Sequence, residues 1–135
     1  MTLNLPQASF ADVQALVIAH IGLLSERGLG GVSSKLEAVW PYVVVTELPV
    51  GGDNYVWAWR MVDVEVFHAN DGLAKQFSRV VHAHMMQLRH TYVNGVPVDD
   101  VLCPNGFGYS DYGDPTIFRY LAEYEISSFV NAQPL

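Results

Sequence analysis

Residues 55–67 read YVWAWRMVDVEVF, a stretch long enough for one continuous β-strand. Side chains alternate between the two faces of a strand, and here the even positions are apolar except for Arg60: Val56, Ala58, Val62, Val64 and Val66. The odd positions begin aromatic and end acidic, in the order Tyr55, Trp57, Trp59, Met61, Asp63 and Glu65. The even face predicts a core surface. The aromatic half of the odd face predicts contact with another chain, or cover by loops or a helix of the same chain.

Two helices are predicted from apolar residues at helical spacing. The first runs roughly over residues 10–27 after a capping pattern at Ser9, with a buried side of Val13, Leu16, Val17, His20 and Leu24. The second starts after Asn70 or Asp71 and ends near His90, with a buried side of Leu73, Phe77, Val80, Val81, His84 and Leu88.

Further strands are predicted on both sides of the second helix. The β-branched run 41–49 should form an antiparallel hairpin with 55–67 through a turn at residues 51–54, and residues 117–130 alternate as a last strand. Glycines and prolines in residues 96–115 predict mostly loop, with a short strand near Val101. The fold class expected is α+β, a mostly antiparallel mixed sheet with two main helices packed on one face, in a single domain spanning residues 1–135.

Composition narrows the classes of function. The chain has 7 basic and 14 acidic residues and a net charge of −7, which disfavours binding along nucleic-acid backbone. Hydrophobic residues make up 50% and charged residues 16% of the chain, so a monomer has few charged residues to cover its surface. Oligomer formation would reduce the surface that must face water. One cysteine, Cys103, predicts a reducing cytoplasm, and the sequence has neither a signal-peptide pattern nor an apolar run of about 20 residues that would cross a bilayer.

The polar residues predict no catalytic, metal or cofactor site. His82 and His84 would lie about 200° apart around a helix, so they could not share a metal ion. Asp63 and Glu65 should lie about 7 Å apart on one strand face, and Glu123 and Glu125 repeat this pattern. If the two strands are neighbours, four carboxylates would crowd one surface, which is typical of a solvated or intersubunit charged face.

Aromatic residues of the segment GFGYSDYGDP could contact a partner. Phe107, Tyr109 and Tyr112 are predicted to lie on a mobile loop that orders on assembly, or on an ordered loop packed against its own domain. The segment has no lysine and no following helix, so it does not fit a phosphate-binding loop.

With these elements in order, the chain resembles the tail terminator, or tail-completion, proteins of long-tailed bacteriophages. The resemblance covers most of the chain and rests on an amino-terminal helix followed by the segments PYVVVTELPVGG, VDVEVF, DGLAKQFSRVVHAHMMQL and DPTIFRYLAEYEI. It implies a mixed sheet flanked by helices and a structural protein rather than an enzyme. That protein would be a homo-oligomer, expected as a hexameric ring, which stops growth of the tail tube and joins the tail to the filled head.

The resemblance also implies partners and a location. The ring would contact a tail-tube protein and a head-connector protein in the tail or neck of the virion, after assembly in the host cytoplasm. It would need no cofactor or membrane, and DNA would pass through without sequence-specific binding. From the strand pattern we also place subunit contacts at Arg60 and Arg119, which would meet acidic partners. The other predicted contacts are the residues on the odd face of the long strand: Tyr55, Trp57, Trp59, Met61, Asp63 and Glu65.

Two alternatives remain open. Another head–tail connector or head-closure subunit would fit the same virion setting, because only the loop near residues 103–116 offers a long partner-binding segment. A small cytoplasmic α+β enzyme or ligand-binding domain could use the aromatic loop and the acidic face as a pocket, since a fold does not determine function.

Replacing both Trp57 and Trp59 by alanine tests the interface interpretation. We expect weaker self-association with the domain still folded, because buried aromatic residues contribute most of the binding energy of many interfaces. Circular dichroism would report the fold and light scattering the mass. An unfolded double variant would place the two indoles in the core of the monomer instead.

Overall fold

The computed structural model describes residues 12–53 and 58–128, with the backbone alone described at Asp53. Along the chain the elements are α1 (Val13–Gly22), a 3₁₀ turn (Leu23–Arg27), β1 (Gly31–Ser33), β2 (Tyr42–Asp53), β3 (Ala58–His68), α2 (Asp71–Met86), β4 (Thr91–Val93), β5 (Val96–Val98), β6 (Asp100–Tyr109) and β7 (Phe118–Ser128).

Five strands form one sheet in the order β1-β2-β3-β7-β6. β1 pairs with β2 in parallel, and every other pairing in this sheet is antiparallel. β4 and β5 form a separate two-stranded hairpin, whose turn places Asn94 and Gly95 at positive φ. The predicted α+β class and the antiparallel pairing of β2 with β3 are both confirmed.

β3 lies at the centre of the sheet and carries the predicted core face. Val62, Val64 and Val66 are fully buried, and Ala58 is buried beside them. Both helices pack on this side of the sheet, which we call the inner face. The even positions of β7 complete the inner face with Tyr120, Ala122, Tyr124 and Ile126, all buried. The alternation therefore identified the core correctly; Val56 lies outside the described residues.

α1 buries the predicted residues Val13, Leu16, Val17 and His20, and Leu24 is buried in the 3₁₀ turn that follows. The chain then leaves the helix at Gly28, whose φ of 96° favours glycine. The predicted cap residue Ser9 lies outside the described residues, and the side chain of Asp12 caps the helix by accepting from the Ala15 N–H.

α2 begins as predicted, with Asn70 accepting a hydrogen bond from the Leu73 N–H at 2.9 Å. It ends at Met86, about one turn before the predicted end. One predicted core residue is wrong: Leu73 is 47% exposed, while Ala74 is fully buried. In the first turn of this helix, the small side chain faces the sheet and the leucine faces solvent.

Two segments predicted as turn or loop are strands. Gly51 and Gly52 belong to β2 and pair with Arg60 and Trp59, because a register shift after Glu47 keeps β2 paired with β3. A Cβ at Gly52 would lie 2.6 Å from the Trp59 indole nitrogen, so the glycine makes room for that ring. The expected loop of residues 96–115 contains the ten-residue strand β6, which has register shifts at two places along β7.

Reciprocal hydrogen bonds join the two helices. The Nε2 atom of His20 lies 2.7 Å from the His84 carbonyl oxygen, and Nε2 of His84 lies 2.6 Å from the His20 carbonyl oxygen. Since a carbonyl only accepts, both Nε2 atoms carry the proton. The rings stack at 3.8 Å between centroids. Burial lowers the pKa of His20 and so favours the neutral form of that ring.

Opposite the helices is the outer face of the sheet, and one end of it is covered. Tyr42, Val44 and Phe67 are buried there under Leu36, Trp40 and Ile117. The covering segment is held close to the chain before β1, since the Gly30 N–H donates to the Pro41 carbonyl at 2.7 Å. This end of the outer face is therefore part of the domain's own core.

Acid should lower stability through His20. Burial lowers the pKa of His20 below 6.5, and the charge of His84 lowers it further, against a raising effect of the backbone hydrogen bond. The unfolded chain therefore takes up the proton first. The free energy of unfolding should fall as pH drops below 6.5 towards the folded pKa, by at most about 1.4 kcal/mol per pH unit.

Urea unfolding of the wild type and of His20→Gln at several pH values would measure this slope, with His90→Asn as the control at an exposed position. His20→Gln should remove part of the slope and His90→Asn should not. Equal slopes in all three proteins would contradict the assignment to His20.

Gly30→Ala should destabilise the fold by about 1–3 kcal/mol, because the added methyl would lie 2.3 Å from the Val39 carbonyl oxygen. Gly108→Ala is the matched control, since its methyl would meet nothing within 4 Å. The two unfolding midpoints in urea would be compared with the wild type. Equal midpoints would mean that the covering segment moves away at little cost.

Candidate subunit interface

The outer face beyond its covered end carries the predicted acidic cluster. β3 and β7 are neighbours, and Asp63 pairs directly with Glu123 in their register. Glu65 and Glu125 lie on the same face, opposite Leu121 and Met61 respectively. The predicted crowding of four carboxylates is therefore confirmed.

Asp63 is the least compensated of these carboxylates. Burial raises the pKa of Asp63, and the nearby charges of Glu123 and Glu65 raise it further. Its Oδ1 atom is buried and has no hydrogen-bond partner in the described part of the chain. A buried acceptor without a donor costs roughly 1–3 kcal/mol, so a donor brought by another molecule would stabilise this site.

Glu65 and Arg119 form the ion pair of this face, at 3.1 Å. Both side chains are mostly buried, at 17% and 23% exposure. The Arg119 guanidinium also donates to the carbonyl oxygens of Ser110 and Asp111, and it lies 5.6 Å from the centre of the Tyr112 ring. These contacts hold Arg119 within its own chain.

Apolar side chains lie beside the acidic cluster. Trp59 and Met61 are half-buried on the outer face of β3, and Tyr55 and Trp57 lie outside the described residues. Leu102 of β6 pairs with Glu125 and is 51% exposed. Leu102 therefore adds exposed apolar surface beside the acidic cluster.

Arg60 lies apart from this surface. By alternation it points to the inner face, near the end of the sheet, and its guanidinium donates to the Trp59 carbonyl at 2.8 Å. It borders a cavity of about 300 Å³ together with residues 47–52 of β2. The predicted interface residues thus divide between the two faces of the sheet.

The predicted aromatic loop does not exist as one surface, because part of it is strand β6. Phe107 faces the inner side, with its ring 6.2 Å from Tyr124. Tyr109 lies 5.9 Å from Tyr120 on that side and is 58% exposed. Tyr112 follows the strand and packs edge-on against Phe67 at 5.1 Å, at the covered end of the outer face.

The described residues show little sign of a metal site, a reactive nucleophile or a membrane-spanning helix. Within them, no group of three or more histidine, cysteine or acidic side chains is arranged to hold a metal ion. Burial raises the pKa of the Cys103 thiol, which keeps it protonated and weakly nucleophilic. The Tyr124 hydroxyl bonds His82 Nδ1 at 2.8 Å inside the domain. No helix in residues 12–53 and 58–128 is long and apolar enough to cross a membrane.

Sequence reasoning missed the apolar part of this face on β6 and β7. The sequence predicts a short strand near Val101 and Leu102 but not the face on which Leu102 lies, and the pattern of the last strand does not single out Leu121. Strand alternation would have placed Leu121 beside Glu123 and Glu125 on the outer face. The face of Leu102 could not be predicted, because the sequence indicates only a short strand near Val101 and not the register in which β6 pairs with β7.

Neither a known protein family nor a curated protein matches the sequence. A solved structure does match the fold: one chain of a structure described as "Virion of native gene transfer agent (GTA) particle". The two chains are 12% identical and superpose with a TM-score of 0.65, over 89% of this chain and 98% of that one. This chain therefore has the fold of a protein found in a gene transfer agent particle.

Proposed function

We propose that this protein is a structural subunit of a phage-like virion. In our proposal it forms a ring at the head-proximal end of the tail, where it ends growth of the tail tube and joins the tail to the head. Its location would be the tail or neck of the particle, after assembly in the host cytoplasm.

The fold match is the observation that carries this proposal. It includes nearly all of the particle's chain, at 98%, so the two proteins share a whole domain rather than a common substructure. The element order independently resembles that of tail terminator proteins. The fold match supports a virion role, and the terminator position within the particle rests on the resemblance of sequence segments.

The outer face also fits a subunit of an assembly. Asp63 and Glu123 lie side by side without an intervening cation in the described residues, and Asp63 lacks a donor. Such a surface is unfavourable in an isolated domain and is relieved when a neighbour supplies positive charge. A homo-oligomer, expected as a hexamer, would supply it with no further component.

The remaining partners follow from the position proposed. One side of the ring would meet a tail-tube protein and the other a head-connector protein. DNA would pass through the ring without sequence-specific binding, because a chain with a net charge of −7 has little attraction for phosphates. We propose no catalytic role: the cysteine thiol is held protonated and the acidic cluster lies on an open sheet face.

A second candidate is another head–tail connector or head-closure subunit. The matching structure is described as a whole particle, without a position for the matching chain, so the match favours both candidates equally. Cryo-electron microscopy of particles that contain this protein would separate the two by the ring's place between tube and head.

The first experiment is the solution mass of the purified protein by light scattering over a range of concentrations, with negative-stain imaging of large species. We expect rings of about six subunits. A protein that stays monomeric at every concentration and does not bind to particle tails would contradict the proposal.

Leu102→Ser should weaken this association about tenfold while leaving the fold stable, because it removes an exposed apolar contact beside the acidic cluster. Tyr92→Ser is the matched control, since Tyr92 is 76% exposed on the separate hairpin. Light scattering would compare the concentrations at which each protein associates. Equal weakening by both substitutions would show a nonspecific effect of lost apolar surface.

A further inference from the structure

Two cations of α2 have no ion-pair partner among the described residues. Lys75 and Arg79 are both exposed, one helical turn apart, and neither forms an ion pair within the described residues. They border a groove of about 310 Å³ between α2 and β6, whose other walls include Ser78, His82, Phe107 and Tyr120. We call this surface the basic groove.

Two carboxylates of the outer face lack a hydrogen-bond donor or cation among the described residues. The Glu125 side chain forms no hydrogen bond or ion pair with any described residue, and Asp63 Oδ1 is buried without a donor among these residues. Glu123 lies between them and accepts one hydrogen bond, from the Asn105 amide. We call Asp63, Glu123 and Glu125 the acidic row.

These two surfaces cannot meet within one molecule. α2 covers the inner face of the sheet, and the acidic row lies on the outer face, so the sheet separates them. They can meet only between two copies, with the helix side of one against the sheet side of the next. Such a contact joins different surfaces and repeats from copy to copy, which closes into a ring when the rotation allows.

The spacing of the charges also fits. Residues one turn apart on a helix are about 6 Å apart along its axis. Residues two apart on a strand are about 7 Å apart, so Glu123 and Glu125 could each face one cation. Arginine donates two parallel hydrogen bonds to one carboxylate, and lysine can reach between two. The unused donors of the groove thus match the unused acceptors of the row.

We propose that the basic groove of one copy docks on the acidic row of the next copy around the ring. This inference rests on the proposed ring-forming function and names the surfaces that join its subunits. Other occupants of the acidic row, such as a basic segment of a different virion protein, are separated from a second copy by the test below.

The test is a charge exchange in the full chain. One variant carries Lys75→Glu with Arg79→Glu, and the other carries Glu123→Lys with Glu125→Lys. Each alone should lose association at least tenfold, because like charges then face each other across the contact. An equal mixture of the two should recover rings, since the acidic groove of the first variant fits the basic row of the second, and the native basic groove of the second fits the native acidic row of the first.

The control is Arg27→Glu with Lys35→Glu, which lowers the net charge by the same amount as the groove variant, at exposed positions that belong neither to the basic groove nor to the acidic row. It should form rings like the wild type. Circular dichroism would verify the fold of each protein, and light scattering with negative-stain imaging would report ring mass.

Three results would overturn the inference. Intact rings in both reversed variants would refute these contact surfaces and leave the ring itself standing. Two reversed variants that fail to recover as a mixture would assign the acidic row to a different partner. A wild-type protein that stays monomeric at every concentration and does not bind to particle tails would refute both the contact and the proposed ring.

Discussion

Burial of one face of β3 is the interaction on which the rest of the structure depends. This strand lies in the middle of the sheet, and three of its valines are fully buried under the helices. Burying one such side chain contributes roughly 1.5–3 kcal/mol, so the three valines together contribute roughly 4.5–9 kcal/mol, which is comparable to the whole stability of a small domain. The two helices cover this face, and the reciprocal hydrogen bonds between His20 and His84 hold the helices together. Pairing with β7 fixes the position of β3 in the sheet beneath them.

The same strand makes the outer face uneven. At one end Phe67 is covered by segments before β2 and before β7, and this end belongs to the core. Towards the other end Asp63 is held beside Glu123 by strand pairing alone, because a fixed register leaves neither carboxylate free to move away. The sheet therefore concentrates negative charge at a place that the described residues leave without cover. This is the physical reason to regard that region as a contact surface.

The core and the strand order of the hairpin could be predicted because alternation and helical spacing are strong, local signals. Val62, Val64 and Val66 show this most directly. β6 could not be predicted, because Pro104, Gly106 and Gly108 carry the signals of a loop, and pairing with β7 overrides them. The positions of Asp63 and Glu123 were predictable once β3 and β7 were taken as neighbours. The groove beside Lys75 could not be predicted, because β6 forms one of its walls and that strand is not predicted from the sequence.

Both edges of the sheet are poor templates for a further strand. β1 has three residues, and β6 shifts register twice and contains Pro104, which has no N–H to donate. Copies of a protein at high concentration would otherwise risk joining edge to edge into fibrils. The irregular β6 thus protects this edge against aggregation, and contacts between copies in the proposed ring would form through side chains on the faces of the sheet.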